Sequence, residues 1–118
     1  MVKAASGNKA QSLVLVLEYT TTDSALFEVL DLHDNRIQEI EEEAFKDLID
    51  LKGLDLSLNI ISSVGDTLEP LTNLMKLNLS DNYITSLPRN AFHALEKLST
   101  LDVSNNTIVE IGMSFNTF

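Results

Sequence analysis

The chain contains no cysteine, which excludes a disulfide framework, a thiolate zinc site and a cysteine nucleophile, and leaves every redox compartment open. Its four glycines are scattered, so no glycine loop of the phosphate-cradling kind is present. Basic residues are scarce, 8 against 18 acidic ones. The resulting net charge of -10 repels phosphate backbones and anionic lipid headgroups and favours cationic or neutral partners. Nucleic acid is therefore not an expected partner. Long apolar runs are missing as well. Leu13 to Leu17 is a run of five residues, against about 7–15 for a secretory signal and about 20 for a membrane span. Neither an export signal nor direct membrane insertion is expected from it.

What is present is a repeat. Asn35, Asn59, Asn82 and Asn106 follow one another at steps of 24, 23 and 24 residues. The third, fifth and eighth residues before each are apolar: Leu32, Leu30 and Phe27; Leu56, Leu54 and Leu51; Leu79, Leu77 and Leu74; Val103, Leu101 and Leu98. The second and fifth residues after each are Ile37 and Ile40, Ile61 and Val64, Ile84 and Leu87, and Ile108 and Ile111. A unit of this length cannot bury its apolar face alone, so neighbouring units must stack into a solenoid. Segments such as Val29-Leu30-Asp31-Leu32 alternate apolar and polar residues as half-buried strands do. Recurring at one phase with a return path between them, they should lie parallel in one curved sheet.

The return stretches carry a second apolar row: Phe45 and Leu48, Leu68 and Leu71 slipped by one in the 23-residue unit, Phe92 and Leu95, and then Phe115 and Phe118. Glu41 to Leu48 is expected to form a short helical turn, and Pro70 and Pro88 restrict the other two returns to first-turn or irregular conformations. The repeat domain is thus expected to span residues 26–118 in four repeats, after an irregular segment 1–25 with an edge strand within 13–19. Two readings of that strand stand side by side. Either it is a degenerate copy of Val29 to Asn35 with Thr20 in the asparagine position, or it turns through Thr21 to Ala25 and pairs antiparallel with the first repeat strand, which is the preferred reading. At the other end, Leu98, Leu101, Val103, Ile108, Ile111, Phe115 and Phe118 form an uncapped apolar face, which implies a fragment or self-association.

These residues resemble the leucine-rich repeat family. The pattern Asn-x-Ile-x-x-Ile followed by Ala-Phe-x-x-Leu, in Asn35 to Leu48 and Asn82 to Leu95, is that of its 24-residue subclass with a phenylalanine spine, and the resemblance covers 93 residues, Leu26 to Phe118. It implies an α/β solenoid, a right-handed superhelix with a curved parallel β-sheet and a mostly irregular or short-helical convex side. The subclass is similar to ectodomains of animal cell-surface and secreted proteins such as Toll-type receptors, adhesion proteins and matrix proteoglycans. A non-catalytic module that binds a protein ligand on its concave face, as part of a longer extracellular or cell-surface protein, is what that implies. Capping cysteines and a signal sequence are not seen, so the alternative is a cytoplasmic scaffold or regulatory subunit of an enzyme.

Between the inward apolar residues of each strand, the intervening positions should face the concave surface. One column across the units is Asp31, Asp55, Asn78 and Asp102, and the next is His33, Ser57, Ser80 and Ser104. These eight are the candidate binding residues, with three carboxylates forming a stripe able to steer a cationic partner. Outer columns are Val29, Gly53, Lys76 and Thr100, then Asp34, Leu58, Asp81 and Asn105. The ladder of Asn35, Asn59, Asn82 and Asn106 is expected to be structural, each amide satisfying backbone groups left unpaired where a strand turns outward. No metal or cofactor is expected. Glu41, Glu42 and Glu43 read as a solvated helix start, and His33 with Ser57 lacks a third catalytic group. Asn78-Leu79-Ser80 and Asn105-Asn106-Thr107 match the glycosylation pattern.

Overall fold

Strict alternation around each Leu-x-Leu gives short strands with the leucine inward, and a computed structural model describes them within residues 13–15 and 28–111. The elements in chain order are β1 (Leu13–Leu15), β2 (Val29–Asp31), β3 (Ile37–Ile40), β4 (Gly53–Asp55), β5 (Lys76–Asn78), β6 (Ser86–Leu87), α1 (Arg89–His93), β7 (Thr100–Asp102) and β8 (Glu110–Ile111). The main sheet has the order β2-β4-β5-β7, every pair parallel. Its register follows the repeat without a slip: Leu30, Leu54, Leu77 and Leu101 lie opposite one another, flanked by Val29, Gly53, Lys76 and Thr100 on one side and Asp31, Asp55, Asn78 and Asp102 on the other. The ladder runs past the strand ends, where Leu32 N–H donates to Asp55 O and Leu56 N–H to Asn78 O, both at 2.8 Å.

The interior is the set of repeat rows. Leu51, Leu56, Leu74, Leu79, Ile61 and Ile84 are fully buried, and so are Phe45, Leu48, Leu68 and Leu71 of the second row, with Phe92 and Leu95 nearly so. Leu68 and Leu71 reach the interior although their unit is one residue short. Leu98, Leu101, Val103 and Ile108 of the fourth unit are partly buried against this core. Phe27, Phe115 and Phe118 lie outside the described residues.

The asparagine ladder closes the inner turn of each coil. Asn59 accepts hydrogen bonds from the N–H groups of Asn35 and Ile37, each at 2.9 Å, and its amide donates to Leu32 O, Leu56 O and Ser57 O. Asn82 and Asn106 repeat the arrangement one and two coils on, accepting from Ile61 N–H and Ile84 N–H. Asn35 is exposed and its amide reaches His33 O. Among the described residues no buried side-chain nitrogen or oxygen lacks a partner.

One expectation is corrected. The edge strand neither pairs antiparallel with β2 nor copies Val29 to Asn35: β1 runs parallel to β3, with Leu13 opposite Ile37 and a register irregularity before Val14. The physical reason is the period. Leu13 stands one full 24-residue step before Ile37, so it belongs to the row after the asparagine. That same row forms the β6–β8 pair two coils later. The return stretches follow the expectation. Glu41 to Leu48 makes successive tight turns, with Ala44 N–H donating to Glu41 O and Lys46 N–H to Glu43 O, and α1, the one regular helix among the described residues, follows Pro88. Proline supplies a preset φ at a helix start and its missing donor costs nothing there.

Candidate functional site

The outward face of the β2-β4-β5-β7 sheet carries the columns singled out above, and the turn chemistry beneath them decides which side chains are free. In each coil the Asp or Asn at the strand end accepts the backbone N–H two residues on: Asp31 from His33 at 3.1 Å, Asp55 from Ser57 at 2.9 Å, Asn78 from Ser80 and Asp102 from Ser104, each at 3.0 Å. The same oxygen takes the hydroxyl of Ser57 at 2.6 Å, Ser80 at 2.7 Å and Ser104 at 2.6 Å. These are Asx turns that end the strands. One acceptor oxygen is enough for the task, which is why Asn78 serves in a column otherwise made of aspartates.

The predicted binding residues differ in exposure. Ser57 and Ser80 are each only 7% exposed and lie in the turn. Ser104 and His33 are exposed, as are Asp31 and Asp102, while Asp55 and Asn78 are half-buried. The outermost column turns away through left-handed backbone: Asp34, Leu58, Asp81 and Asn105 all have φ between 55° and 57°. Asp and Asn tolerate that region best, and Leu58 is the exception, with its side chain exposed. Asn105 also donates to Asp81 at 3.0 Å.

Where the other units have serine, the first has histidine, and its ring takes up the role of the hydroxyl. His33 Nδ1 lies 2.5 Å from Asp31 Oδ1. The hydrogen bond to Asp31, reinforced by its charge and by Asp55 and Asp34, raises the His33 pKa above 6.5. In turn, the His33 ring and then the His33 N–H lower the Asp31 carboxyl below 3.8. The Ser104 hydroxyl and N–H lower Asp102 likewise. For the pair the signs are opposite. The raised histidine contributes stability fully below 6.5 and loses it as pH rises through its folded value; the lowered aspartate contributes above 3.8 and loses it as pH falls through its folded value. Both contributions are therefore complete between these limits. We expect an NMR titration of the His33 ring to give a midpoint above 6.5 that falls back in Asp31→Asn; a midpoint indifferent to that change removes the pairing.

Donor atoms of Asp31, His33 and Asp55 lie within 4.8 Å of one another, so these are the residues that could hold a metal ion among those described. Each of the three already has a protein partner in the turns. The Ser57 hydroxyl is directed to Asp55 rather than to an imidazole, which leaves the histidine–serine pair without nucleophile activation.

Beside the carboxylates the sheet has a shallow recess of about 480 Å³, lined by Val29, Gly53, Asp55, Lys76, Thr100 and Asp102 among others. Val29 and Gly53 were legible only as an outer column; the signal was the uneven size of its members. No described helix is long and apolar enough to cross a membrane.

Comparison with known families gives a match to the model described as leucine rich repeat, over residues 27–74 and again over 72–115. No curated protein matches the chain.

Proposed function

Because the chain belongs to the leucine-rich repeat family, a family of protein-interaction modules that are typically non-catalytic, we propose that it recognises a protein partner through the outward face of its sheet. In this reading the coils wind as a right-handed superhelix of the 24-residue subclass, the sheet forms its concave side, and the module is part of an extracellular or cell-surface protein of adhesion or receptor type. The partner is cationic where it meets Asp31, Asp55 and Asp102. The observation that carries the reading is the unbroken register, which stacks these three carboxylates in one column on an open face. Asp31 and Asp55 lie one strand spacing apart, about 4.8 Å, and Asp102 follows two spacings from Asp55, beyond Asn78, near enough for their fields to add and draw in a positive surface.

Asn78 supplies the control for a test, since it shows that an amide can replace the carboxylate in the turn. The triple variant Asp31→Asn, Asp55→Asn, Asp102→Asn therefore removes charge while keeping the acceptor oxygens. Immobilised wild-type and triple-variant protein are exposed to secreted, cell-surface and cytosolic protein fractions. We expect a partner from the first two fractions that the wild type retains and the variant releases, with the variant's stability changed by less than about 1 kcal/mol per site. Equal retention by both proteins, or partners from the cytosol alone, contradicts the proposal.

A further inference from the structure

Gly53 has no explanation within the fold. It sits in β4, an interior strand of the main sheet, where glycine gives up side-chain packing and pays the largest backbone entropy. Glycine is required where the backbone needs φ above zero or where a neighbour leaves no room for a Cβ. Neither condition holds. Its φ is outside the left-handed region, and a Cβ built there would meet Val29 Cγ2 at 3.5 Å and Cγ1 at 3.7 Å, ordinary van der Waals contact. A bare position in a strand also leaves room for the close approach of a group from outside.

The surroundings say what kind of group approaches. Leaving position 53 bare opens the floor of the recess between Val29 and Lys76, its partners in register. Val29 stands beside it as an apolar wall that is 69% exposed. The rim carries Asp55 and Asp102, with Lys76 as the one cation among the described residues that line the recess, and Asp31 lies next to Asp55 in the sheet. An apolar floor and wall reward burial of an aliphatic or aromatic group, and a carboxylate rim rewards positive charge around it.

We propose that the Gly53 notch is a socket for an apolar side chain carried on a basic segment of a partner protein. Its apolar group is seated against Val29 and the bare backbone of Gly53, and its flanking Lys or Arg residues face Asp31, Asp55 and Asp102. This rests on the reading of the outward sheet face as the docking surface and names the chemistry of the group that docks.

The test uses substitutions at Gly53 that the fold accepts: Gly53→Val, with Gly53→Ala as the smaller step. Valine favours strands, so the melting temperature should hold or rise while the notch fills. The probe is a displayed library of random peptides of about twelve residues, panned on the wild-type chain. The expected result is enrichment of peptides that combine Lys or Arg with Leu, Ile, Met or Phe, and that lose about tenfold or more in affinity toward Gly53→Val. A smaller loss is expected toward Gly53→Ala, and a further loss toward the triple Asp→Asn variant. Peptides that bind Gly53→Val as well as wild type but fail on the triple variant overturn the socket and leave the docking face standing. Peptides indifferent to both sets of substitutions overturn both. Failure to enrich any basic, apolar peptide also overturns the socket, and so does a Gly53→Val chain that does not fold while Gly53→Ala binds normally.

Discussion

Asn59→Leu should lower the stability of the chain by about 3–5 kcal/mol in a denaturant titration. Leucine has the same branching as asparagine and is the bulkier of the two, so no cavity is created and the loss comes from the stranded polar groups, with some crowding added. The amide of Asn59 is 4% exposed; it holds two backbone N–H groups, of Asn35 and Ile37, and three carbonyls, of Leu32, Leu56 and Ser57. A buried backbone group stripped of its partner costs about 1–3 kcal/mol. Several such groups would be stranded at once, with water admitted only by loosening the coil. Asn35→Leu is the internal comparison, since that side chain is exposed and, among the described residues, donates to one carbonyl; its cost should stay below about 1 kcal/mol. Equal losses at the two positions would mean that the ladder is not what closes the turns.

Phe45→Ala should cost a similar amount, about 3–5 kcal/mol, through a different term. The ring is fully buried on the return side of the first coil, so its removal forfeits transfer free energy and leaves a void that the tight turns around it cannot collapse to fill. Phe45→Leu should cost far less, about 1.5 kcal/mol or under, because Leu68 fills the corresponding place in the second coil and is equally buried. Differential scanning calorimetry on the two variants separates the outcomes. A small loss on truncation to alanine would show that the return side contributes little to the fold.

The interior of this molecule was readable from the chain because one spatial period rules it. Once four asparagines define the phase, each apolar row must face the stack, and the strand register follows to the residue. What escaped the reading lies where local chemistry overrides alternation. Ser57 and Ser80 sit just past the strand ends, where the backbone bends under an Asx turn, so two-residue alternation no longer says which way they point. Leu13 belongs with Ile37, one full 24-residue step on, and not with the row of Val29, a relation that the short spacing between the two apolar runs conceals. Gly53 could be placed in its column, but a missing side chain is recognised as an opening only when the neighbouring walls are known.

The second coil, one residue shorter than its neighbours, shows where length variation goes. Its Leu68 and Leu71 still reach the interior, and β4, β5 and β7 stay aligned on either side of the deletion. Insertions and deletions are thus absorbed at the back of the molecule, and the front is mechanically insulated from them. A lineage of such chains can drift in repeat length while the geometry offered to a partner stays constant.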